Sequence, residues 1–367
     1  DAPCSQAALV DENGSPVYLT PKMDKQEEIY TQAMQYLDDA IADLQKEDLI
    51  YPGAQDLLYQ GDAEKWLKLA YGLKARYTMH LLKRSANKDA DMEKVLEYVD
   101  NSFESAEEQA AFDVYDANNI NPLYGFFVAR AGLGASESMR SKLAEYNDPR
   151  LSRAFITKQG ASGKEQAPGT ADNAVYAPNG SPEQGTSKYG TSLFMYSISA
   201  PTLLLSYHEL KFLEAEALCR LGRDAKSALK DAVVAGLLNA ENSFSVSRKE
   251  LGKTLINPAS SITDTEAESY FDNTVEAKYT AEPLKTTMIQ KYFALWGASG
   301  EATESYNDVR RMKGLGENFI ELKNPNSFPL RCPYGNSDTT TNAEVKAAYG
   351  NGQYVYSENV WWAGGSR

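Results

Sequence analysis

Apolar residues recur every three or four positions through residues 201–238, and this spacing predicts helices. One run comprises Leu203, Tyr207, Leu210, Leu213, Ala217, Leu218 and Leu221. A repeat of this period lies along one side of a helix. Gly222 follows, and glycine enters the left-handed conformation at a helix end without a Cβ clash. Because the period resumes after Asp224, we predict two antiparallel helices joined at this glycine.

Segments earlier in the chain carry the same periodicity. Predicted helices begin at Asp24, at Asp62 and near Ala90, with the two aspartates capping free backbone N–H groups. A helical hairpin buries its apolar side only against neighbouring pairs of helices. We therefore predict a mainly all-α fold on a tetratricopeptide-like scaffold, with little β structure.

Four further helices are predicted at about 138–145, 266–279, 283–297 and 301–312. Pro283 suits the first turn of its helix, because that position needs no backbone N–H. The polar residues 240–265 are predicted to form a connection between helices.

Two regions, about 112–200 and 313–367, lack a sustained helical period. The first contains residues 157–192, which are rich in Gly, Ser, Pro, Thr and Asn. A loop of this length inside a compact protein is usually functional or mobile. The helical scaffold is thus predicted over about 24–103 and 201–312.

Composition narrows the classes of function. The chain has 367 residues, of which 42% are hydrophobic and 24% charged, as is typical of a globular protein. Its 51 acidic and 37 basic residues give a net charge of −14. Nucleic acids and anionic membranes select basic surfaces, so neither is expected as the main partner. No apolar run is long enough to span a bilayer.

Cysteine and histidine are scarce. Cys4, Cys219 and Cys332 are odd in number and lack metal-ligand spacing, which argues against a disulfide framework. His80 and His208 are the only histidines, which argues against a zinc site, a haem site or a Ser-His-Asp triad. We expect no cofactor and no metal site, and a structural, hydrogen-bonded role for both histidines.

Four stretches carry a resemblance through their order and spacing along nearly the whole chain. They are GDAEKWLKLAYGLKARYTMHLLKR (61–84), EYNDPRLSRAFI (145–156), SYHELKFLEAEALCRLGR (206–223) and MIQKYFALWGASGEATESYNDVRRM (288–312). Near the C-terminus a Trp-Trp pair follows an Asn- and Tyr-rich tail. Together they resemble the SusD/RagB family of outer-membrane nutrient-binding lipoproteins, particularly its SusD-like branch.

The resemblance implies one domain over 1–367, in which the loop-rich regions form a ligand face on the helical scaffold. It also implies a lipoprotein at the surface of the outer membrane that caps a SusC-like TonB-dependent transporter. Such proteins deliver an oligosaccharide, or in some branches a peptide, and perform no chemistry on it, so no catalytic residue is expected. Residues 1–3 resemble an internal segment of family members. The lipid-bearing N-terminus, the expected means of membrane attachment, is therefore predicted to be absent from this chain.

A sugar binder needs flat aromatic faces with amide or charged groups beside them, in the usual plan of an apolar pocket with a few placed polar groups. The chain supplies 23 Tyr, 12 Phe and 4 Trp. Candidate ligand-binding residues are Asn118, Asn121, Tyr124, Phe127, Tyr176, Tyr189, Trp361 and Trp362. The alternatives are core packing for Phe127, loop anchoring for Tyr176 and Tyr189, and packing, which we favour, for the two tryptophans.

Several charged residues have a structural and a functional interpretation. Arg310 and Arg311 could grip an anionic sugar, but internal pairing with carboxylates is preferred in so acidic a chain. Glu209 and Glu216 are expected on a solvated helix face rather than as a catalytic pair. Residues 148–150, Asp-Pro-Arg, read as a turn that starts a helix.

Two other classes of function remain open. A glycoside hydrolase with a helical toroid would also be acidic, helical and rich in aromatic residues. It requires two opposed carboxylates in a cleft and helix pairs along the whole chain, whereas the pattern here breaks in the middle and at the tail. A cytoplasmic helical-repeat scaffold for peptides is the third possibility.

Overall fold

The structure is a computed structural model, and helices dominate it. It describes residues 1–46, 50, 52–130, 133–157, 166–170, 172–181, 188–297 and 300–366. The α-helices are α1 (Gln26–Leu44), α2 (Ala63–His80), α3 (Lys88–Asp100), α4 (Pro122–Arg130), α5 (Glu137–Glu145), α6 (Tyr207–Arg220), α7 (Lys226–Leu251), α8 (Asp264–Tyr270), α9 (Glu276–Ala281), α10 (Pro283–Ala294), α11 (Ala302–Leu315), α12 (Asn336–Thr341) and α13 (Ala343–Tyr349). The mainly helical fold predicted from the periodicity is confirmed.

Strands and tight helical turns are short. Strand β1 (Ala110–Phe112) pairs antiparallel with β4 (Thr202–Leu205), and β2 (Phe155–Ile156) pairs antiparallel with β3 (Thr191–Ser192). A π-helical segment, Phe271–Val275, joins α8 to α9. Single 3₁₀ turns lie at Gly53–Gln55, Leu81–Lys83, Pro149–Ser152, Leu193–Tyr196, Gly252–Thr254 and Trp361–Ala363. Among the described helices, none is both long enough and apolar enough to cross a membrane.

The scaffold is a series of packed helices, in which α1 packs on α2, α2 on α3, α3 on α6 and α6 on α7 and α10. The predicted hairpin is present: α6 ends before Gly222, whose φ of +68° is the left-handed conformation that favours glycine. Ala215 of α6 and Ala232 of α7 are fully buried. These small side chains allow the two helix backbones to approach closely.

Two apolar cores lie on either side of α6. The larger one surrounds α7 and includes Phe155, Phe244 and Phe293, none of which is exposed. The smaller one lies between α2 and α3 and includes Met79 and Val95. Helix α6 contributes to both, because Phe212 and Ala215 point into the first core and Leu210 and Leu213 into the second.

The helix starts show one predicted cap that is right and one that is wrong. Asp62 caps α2 by accepting a hydrogen bond from the backbone N–H of Lys65 at 3.2 Å. Asp24 does not cap α1, which begins two residues later with Lys25 at the cap position. The buried Asp24 carboxylate instead accepts from the backbone N–H groups of Cys4 and Ser5 at 2.9 and 2.7 Å. It therefore holds the first residues of the chain against the start of α1.

The predicted polar connection at 240–265 is wrong over its first half, because α7 continues to Leu251. Its polar residues are helical and find partners inside the fold. Ser247 is fully buried with its hydroxyl 2.7 Å from that of Ser197. Glu241 pairs with Arg248 and accepts from the backbone N–H of Ile262 at 3.0 Å. A polar residue in this helix is therefore not a sign of a loop.

Candidate functional site

A surface groove along the first half of α7 is the candidate ligand site. A cavity of about 360 Å³ lies between α7, the start of α6 and residues 104–109. Its polar lining residues are Glu104, Ser105, Gln109, Tyr207, His208, Lys230, Asp231, Asn239, Asn242 and Glu268. A smaller extension shares Gln109, Asn239 and Asn242 with it and reaches Asn121 and Leu123 at the start of α4. We call the cavity and its extension the α7 groove.

Three amide side chains stand at the junction of the cavity and its extension. Gln109 uses its Oε1 to accept from the backbone N–H of Tyr207 at 3.3 Å, which leaves its NH₂ group available. Asn239 and Asn242, at i and i+3 on α7, have no side-chain hydrogen bond within the described part of the chain. An amide offers both donors and an acceptor. This part of the groove can therefore donate a hydrogen bond to a hydroxyl group or accept one from it.

Beneath the groove lies a buried charged cluster. His208 lines the floor at 1% exposure, and its Nε2 is 3.8 Å from the carboxyl of Glu301 without a hydrogen bond. Burial lowers the pKa of His208 to about 4, so the ring is neutral at pH 7. Burial and the neighbouring Glu209 raise the pKa of Glu301. Arg76 binds Glu209 through its Nε at 2.9 Å. The floor of the groove is thus formed by the neutral His208 ring, and the Arg76–Glu209 ion pair is buried beneath it.

The expectation that Glu209 and Glu216 lie on a solvated face is wrong, since both are fully buried. Each is compensated by an arginine, Glu209 by Arg76 and Glu216 by Arg311. Arg311 Nη2 lies 2.8 Å from Glu216 and 2.7 Å from Asp308. The preferred internal pairing of Arg311 is therefore confirmed.

Arg310 differs from its neighbour. Its guanidinium carbon lies 4.0 Å from the centre of the Tyr306 ring and 4.9 Å from that of Trp362. It also donates to Asn307. No carboxylate of the described residues lies within ion-pair distance of it, so the preferred pairing is wrong for Arg310. Residues 148–150 form the predicted helix start, in which Asp148 accepts from the backbone N–H of Arg150 at 2.9 Å.

Two of the predicted site residues near α4 are buried. Asn121 is 2% exposed, and its Nδ2 donates to the carbonyl of Ala200 at 2.7 Å. Its Oδ1 accepts from the backbone N–H of Leu123 at 2.8 Å, so its amide fixes the start of α4. Phe127 is 3% exposed and packs edge-to-face on Tyr196, with 5.1 Å between ring centres. Neither ring nor amide is presented to solvent.

The other predicted residues of this segment are accessible. Asn118 is exposed in a turn closed by Asp116, and Tyr124 is half-buried with its hydroxyl 3.2 Å from Glu250. Phe126, adjacent to the buried phenylalanine, is 51% exposed. Helix α4, whose first turn lines the extension of the α7 groove, therefore offers one open aromatic ring beside polar side chains. We call Asn118, Tyr124 and Phe126 the α4 rim.

Tyr176 and Tyr189 lie apart from the α7 groove and pack on other residues. Tyr176 is half-buried, 5.3 Å from Phe155 in an edge-to-face contact, and Arg140 lies 5.3 Å from its ring centre. Tyr189 is 2% exposed. Much of the predicted functional loop, residues 158–165, 171 and 182–187, lies outside the described residues.

Trp361 and Trp362 pack against the scaffold near the C-terminus of α2. Trp362 is 4% exposed and stacks on His80 with ring centres 5.8 Å apart. Trp361 is half-buried, with the guanidinium carbon of Arg84 5.0 Å from its ring centre. The His80 ring in turn lies 2.7 Å from the Glu304 carboxylate. Within the described residues, no group of three His, Cys, Asp or Glu side chains has the arrangement of a metal site.

The predicted residues are thus not gathered in one place, and the groove contains residues that the sequence interpretation missed. Asn242 was assigned to the predicted connection at 240–265, Asn239 lay just beyond the predicted helix, and Tyr207 was assigned to the apolar side of a helix. The i, i+3 spacing of the two asparagines was the available signal, because such residues share one face when a helix continues through them.

Comparison with known proteins identifies the family. The model of the SusD-like family, described as starch-binding associating with outer membrane, matches residues 1–334. A SusD/RagB family protein of Bacteroides thetaiotaomicron is 66% identical with a TM-score of 0.93, and the match covers 100% of this chain and 76% of that one. No curated protein sequence matches the chain significantly.

More distant solved structures share the fold. A chitin-binding protein is 22% identical with a TM-score of 0.69, covering 99% of this chain and 76% of that one. A SusD homologue of Bacteroides fragilis is 20% identical with a TM-score of 0.71, covering 99% and 79%. The resemblance expected from the sequence is confirmed by the family match over most of its length, and the chain belongs to the SusD-like family.

Proposed function

We propose that the protein binds an oligosaccharide at the surface of the outer membrane and delivers it to a SusC-like TonB-dependent transporter. The family description, starch-binding associating with outer membrane, supports the ligand class and the location. The observation that carries the proposal is the α7 groove, with its unpaired amides above a neutral floor. We infer that the two loop-rich regions belong to the same domain as the scaffold.

The chemistry of the groove suits sugar hydroxyls. Asn239, Asn242 and the NH₂ group of Gln109 meet at the point where the cavity joins its extension. Each hydroxyl of a sugar donates one hydrogen bond and accepts others, and amides match both roles. A volume of about 360 Å³ lies within the usual range for a small-molecule site. The groove would hold a short part of a glycan, and the rest would extend along the surface.

The α4 rim supplies the aromatic part of the site. Phe126 is 51% exposed on α4, three residues after Leu123, which lines the extension of the groove. An exposed ring gains hydrophobic stabilisation when an apolar face covers it, and the C–H side of a sugar ring offers such a face. Phe126 therefore takes the stacking role that the sequence interpretation gave to the buried Phe127.

We propose binding without catalysis. The Glu209 and Glu301 carboxyls below the floor are fully buried. A general acid or base must come within hydrogen-bond reach of its substrate, and these two groups cannot do so while they are buried. An assay for reducing ends tests this point. Their release from a polysaccharide that the protein binds would indicate a hydrolase.

A glycan array followed by affinity electrophoresis tests the binding site. We expect the double variant Asn239→Ala, Asn242→Ala to bind its array hit about tenfold or more weakly, since two hydrogen bonds of roughly 1 kcal/mol each are lost. Gln35→Ala, at an exposed amide on α1, is the matched control and should bind like the wild type. Equal affinity of all three proteins would contradict the assignment of the groove.

Delivery to a transporter is tested separately. The full-length protein in its native cell is expected in outer-membrane fractions, accessible to protease added outside intact cells. It should co-purify with a TonB-dependent transporter after mild detergent extraction. Recovery only from the cytoplasm would exclude this role and favour a peptide-binding repeat protein.

A further inference from the structure

A second cleft lies apart from the α7 groove, between α5, the α9–α10 region and residues 318–323. Its volume is about 650 Å³. The apolar part of its lining includes Tyr146, Tyr292, Phe293 and Phe319, and the neutral polar part includes Ser138, Ser141 and Asn318. We call this the lysine cleft, because four lysines also line it: Lys142, Lys278, Lys285 and Lys323.

The charge of the lysine cleft is opposite in sign to that of the whole chain. Its four lysines face three glutamates, Glu145, Glu282 and Glu321, which leaves a balance of +1 in a protein of net charge −14. Two glutamates are already paired, Glu282 with Lys285 at 2.8 Å and Glu321 with Lys323 at 2.5 Å. An anion entering this cleft would therefore meet the two remaining lysines, opposed by one remaining glutamate, Glu145.

Lys142 and Lys278 have no carboxylate within ion-pair distance among the described residues. The half-buried Lys142 donates from its Nζ to the hydroxyl of Ser138 at 2.7 Å. Burial lowers its pKa, which shows that the surroundings do not fully compensate its charge. A charged group in such surroundings gains free energy when an opposite charge comes close.

The second lysine is held in place by an aromatic ring. Lys278 Nζ lies 4.4 Å from the centre of the Tyr146 ring. Tyr146 is 7% exposed and is fixed by an edge-to-face contact with Phe293 at 5.3 Å. The ammonium group is thus oriented before any ligand arrives, which reduces the entropy lost on binding.

We propose that the lysine cleft binds an acidic sugar unit, with its carboxylate or sulfate group held between Lys142 and Lys278. This inference rests on the proposed function in taking the ligand to be an oligosaccharide. Ser138, Ser141 and Asn318 offer hydrogen-bonding groups for hydroxyls, and the half-buried Tyr292 offers an apolar surface. A neutral glycan would bind in the α7 groove, and the acidic unit would bind here.

Calorimetric titration with three oligosaccharides of equal length tests the proposal: one neutral, one made of uronic acids and one sulfated. We expect at least one acidic ligand to bind, and its affinity to fall as salt is raised, because exposed charge pairs are screened. The variant Lys142→Gln, Lys278→Gln should bind that ligand about tenfold or more weakly. Its binding of a neutral ligand should not change.

Two controls make the result specific. Lys88→Gln removes an exposed lysine on α3 and should leave all affinities unchanged. Lys142→Arg, Lys278→Arg keeps both charges and should retain most of the acidic-ligand affinity. Unchanged thermal unfolding of the glutamine variant would show that its fold is intact, as expected for two partly exposed side chains.

The possible failures can be told apart. If neutral glycans bind and acidic ones do not, or if the glutamine variant binds acidic ligands as well as the wild type, this inference is overturned and the proposed function stands. If none of the oligosaccharides binds, in the titrations or on an array, both are overturned. A preference between the uronic and the sulfated ligand identifies which anionic group the cleft takes.

Discussion

Fully buried charged side chains distinguish this protein at the scale of single residues. Arg311, Glu216 and Asp308 form a cluster joining α6 to α11, and Lys291 of α10 lies 2.9 Å from Asp308. Ions are costly to remove from water, and mutual attraction with good hydrogen bonds compensates that cost. The cluster therefore makes each member dependent on the others.

Removing one member should destabilise the fold strongly. We expect Arg311→Met to lower the free energy of unfolding by about 3–5 kcal/mol, because Glu216 and Asp308 each lose one buried partner. Arg220 and Lys291 are the partners that remain to them. Arg223→Met is the control, since Arg223 and Glu93 form a pair with side chains 50% and 49% exposed. Such a surface pair contributes about 0–1 kcal/mol. Urea denaturation measures the free energy of unfolding of both variants. Similar losses in the two would show that burial of an ion pair does not determine the cost of breaking it.

The buried His208 gives a pH dependence with a defined sign. Its pKa is lowered from 6.5 to about 4 in the folded protein, so the unfolded chain binds more protons between these values. Stability from the neutral ring is complete above pH 6.5 and is lost as the pH falls towards 4. We expect the urea concentration at the midpoint of unfolding of the wild type to decrease as the pH is lowered from about 6.5 to 4.

A substitution separates this effect from general acid denaturation. In His208→Asn the change between about pH 6.5 and pH 4 should be smaller by up to roughly 3 kcal/mol, the free energy equivalent of the pKa shift. Identical pH profiles of the two proteins would show that another group controls stability in this window.

At the scale of elements, two helical glycines differ in how closely their neighbours pack against them. A Cβ on Gly72 of α2 would overlap the Leu205 side chain and lie 2.7 Å from Ser102 Oγ. A Cβ on Gly125 of α4 would meet only the flexible end of Ile120 at 3.3 Å. The first glycine is required by close packing of α2 on β4 and on the residues that follow α3, whereas no such packing requires the second.

Alanine should therefore destabilise the protein at the first position and not at the second. We expect Gly72→Ala to cost about 1–3 kcal/mol through overpacking. Gly125→Ala should be neutral or stabilise by up to about 1 kcal/mol, the difference in helix propensity. Thermal unfolding measures the stability of both variants. A lower stability of both would mean that α4 is packed more tightly than its exposure indicates.

The elements that could be predicted are those specified by local sequence. Helices α2 and α10 follow from their apolar periods, their capping Asp62 and their initial Pro283. Strand β4 could not be predicted, since residues 202–205 continue a helical period and their partner strand lies about 90 positions earlier in the chain. Such pairing depends on contacts that no local pattern contains.

At the scale of the whole molecule, two separate clefts stand on one helical frame. One is lined by amides and the other by lysines, and each joins segments distant in sequence. The sequence could indicate that sugar-binding residue types lie around α4, but which of them face solvent depends on packing. Phe126 and Phe127 show the limit, because adjacent residues of one helix point in different directions and only the fold decides which is buried.

The position of α6 between the two apolar cores has a practical consequence. A fragment ending before Tyr207 would contain α1 to α5 but would lack the Leu210 and Leu213 side chains that complete the smaller core. A fragment beginning there would expose the same leucines to water. Neither piece is suited to recombinant expression by itself, and laboratory dissection of the two clefts is better done by point substitution in the intact chain.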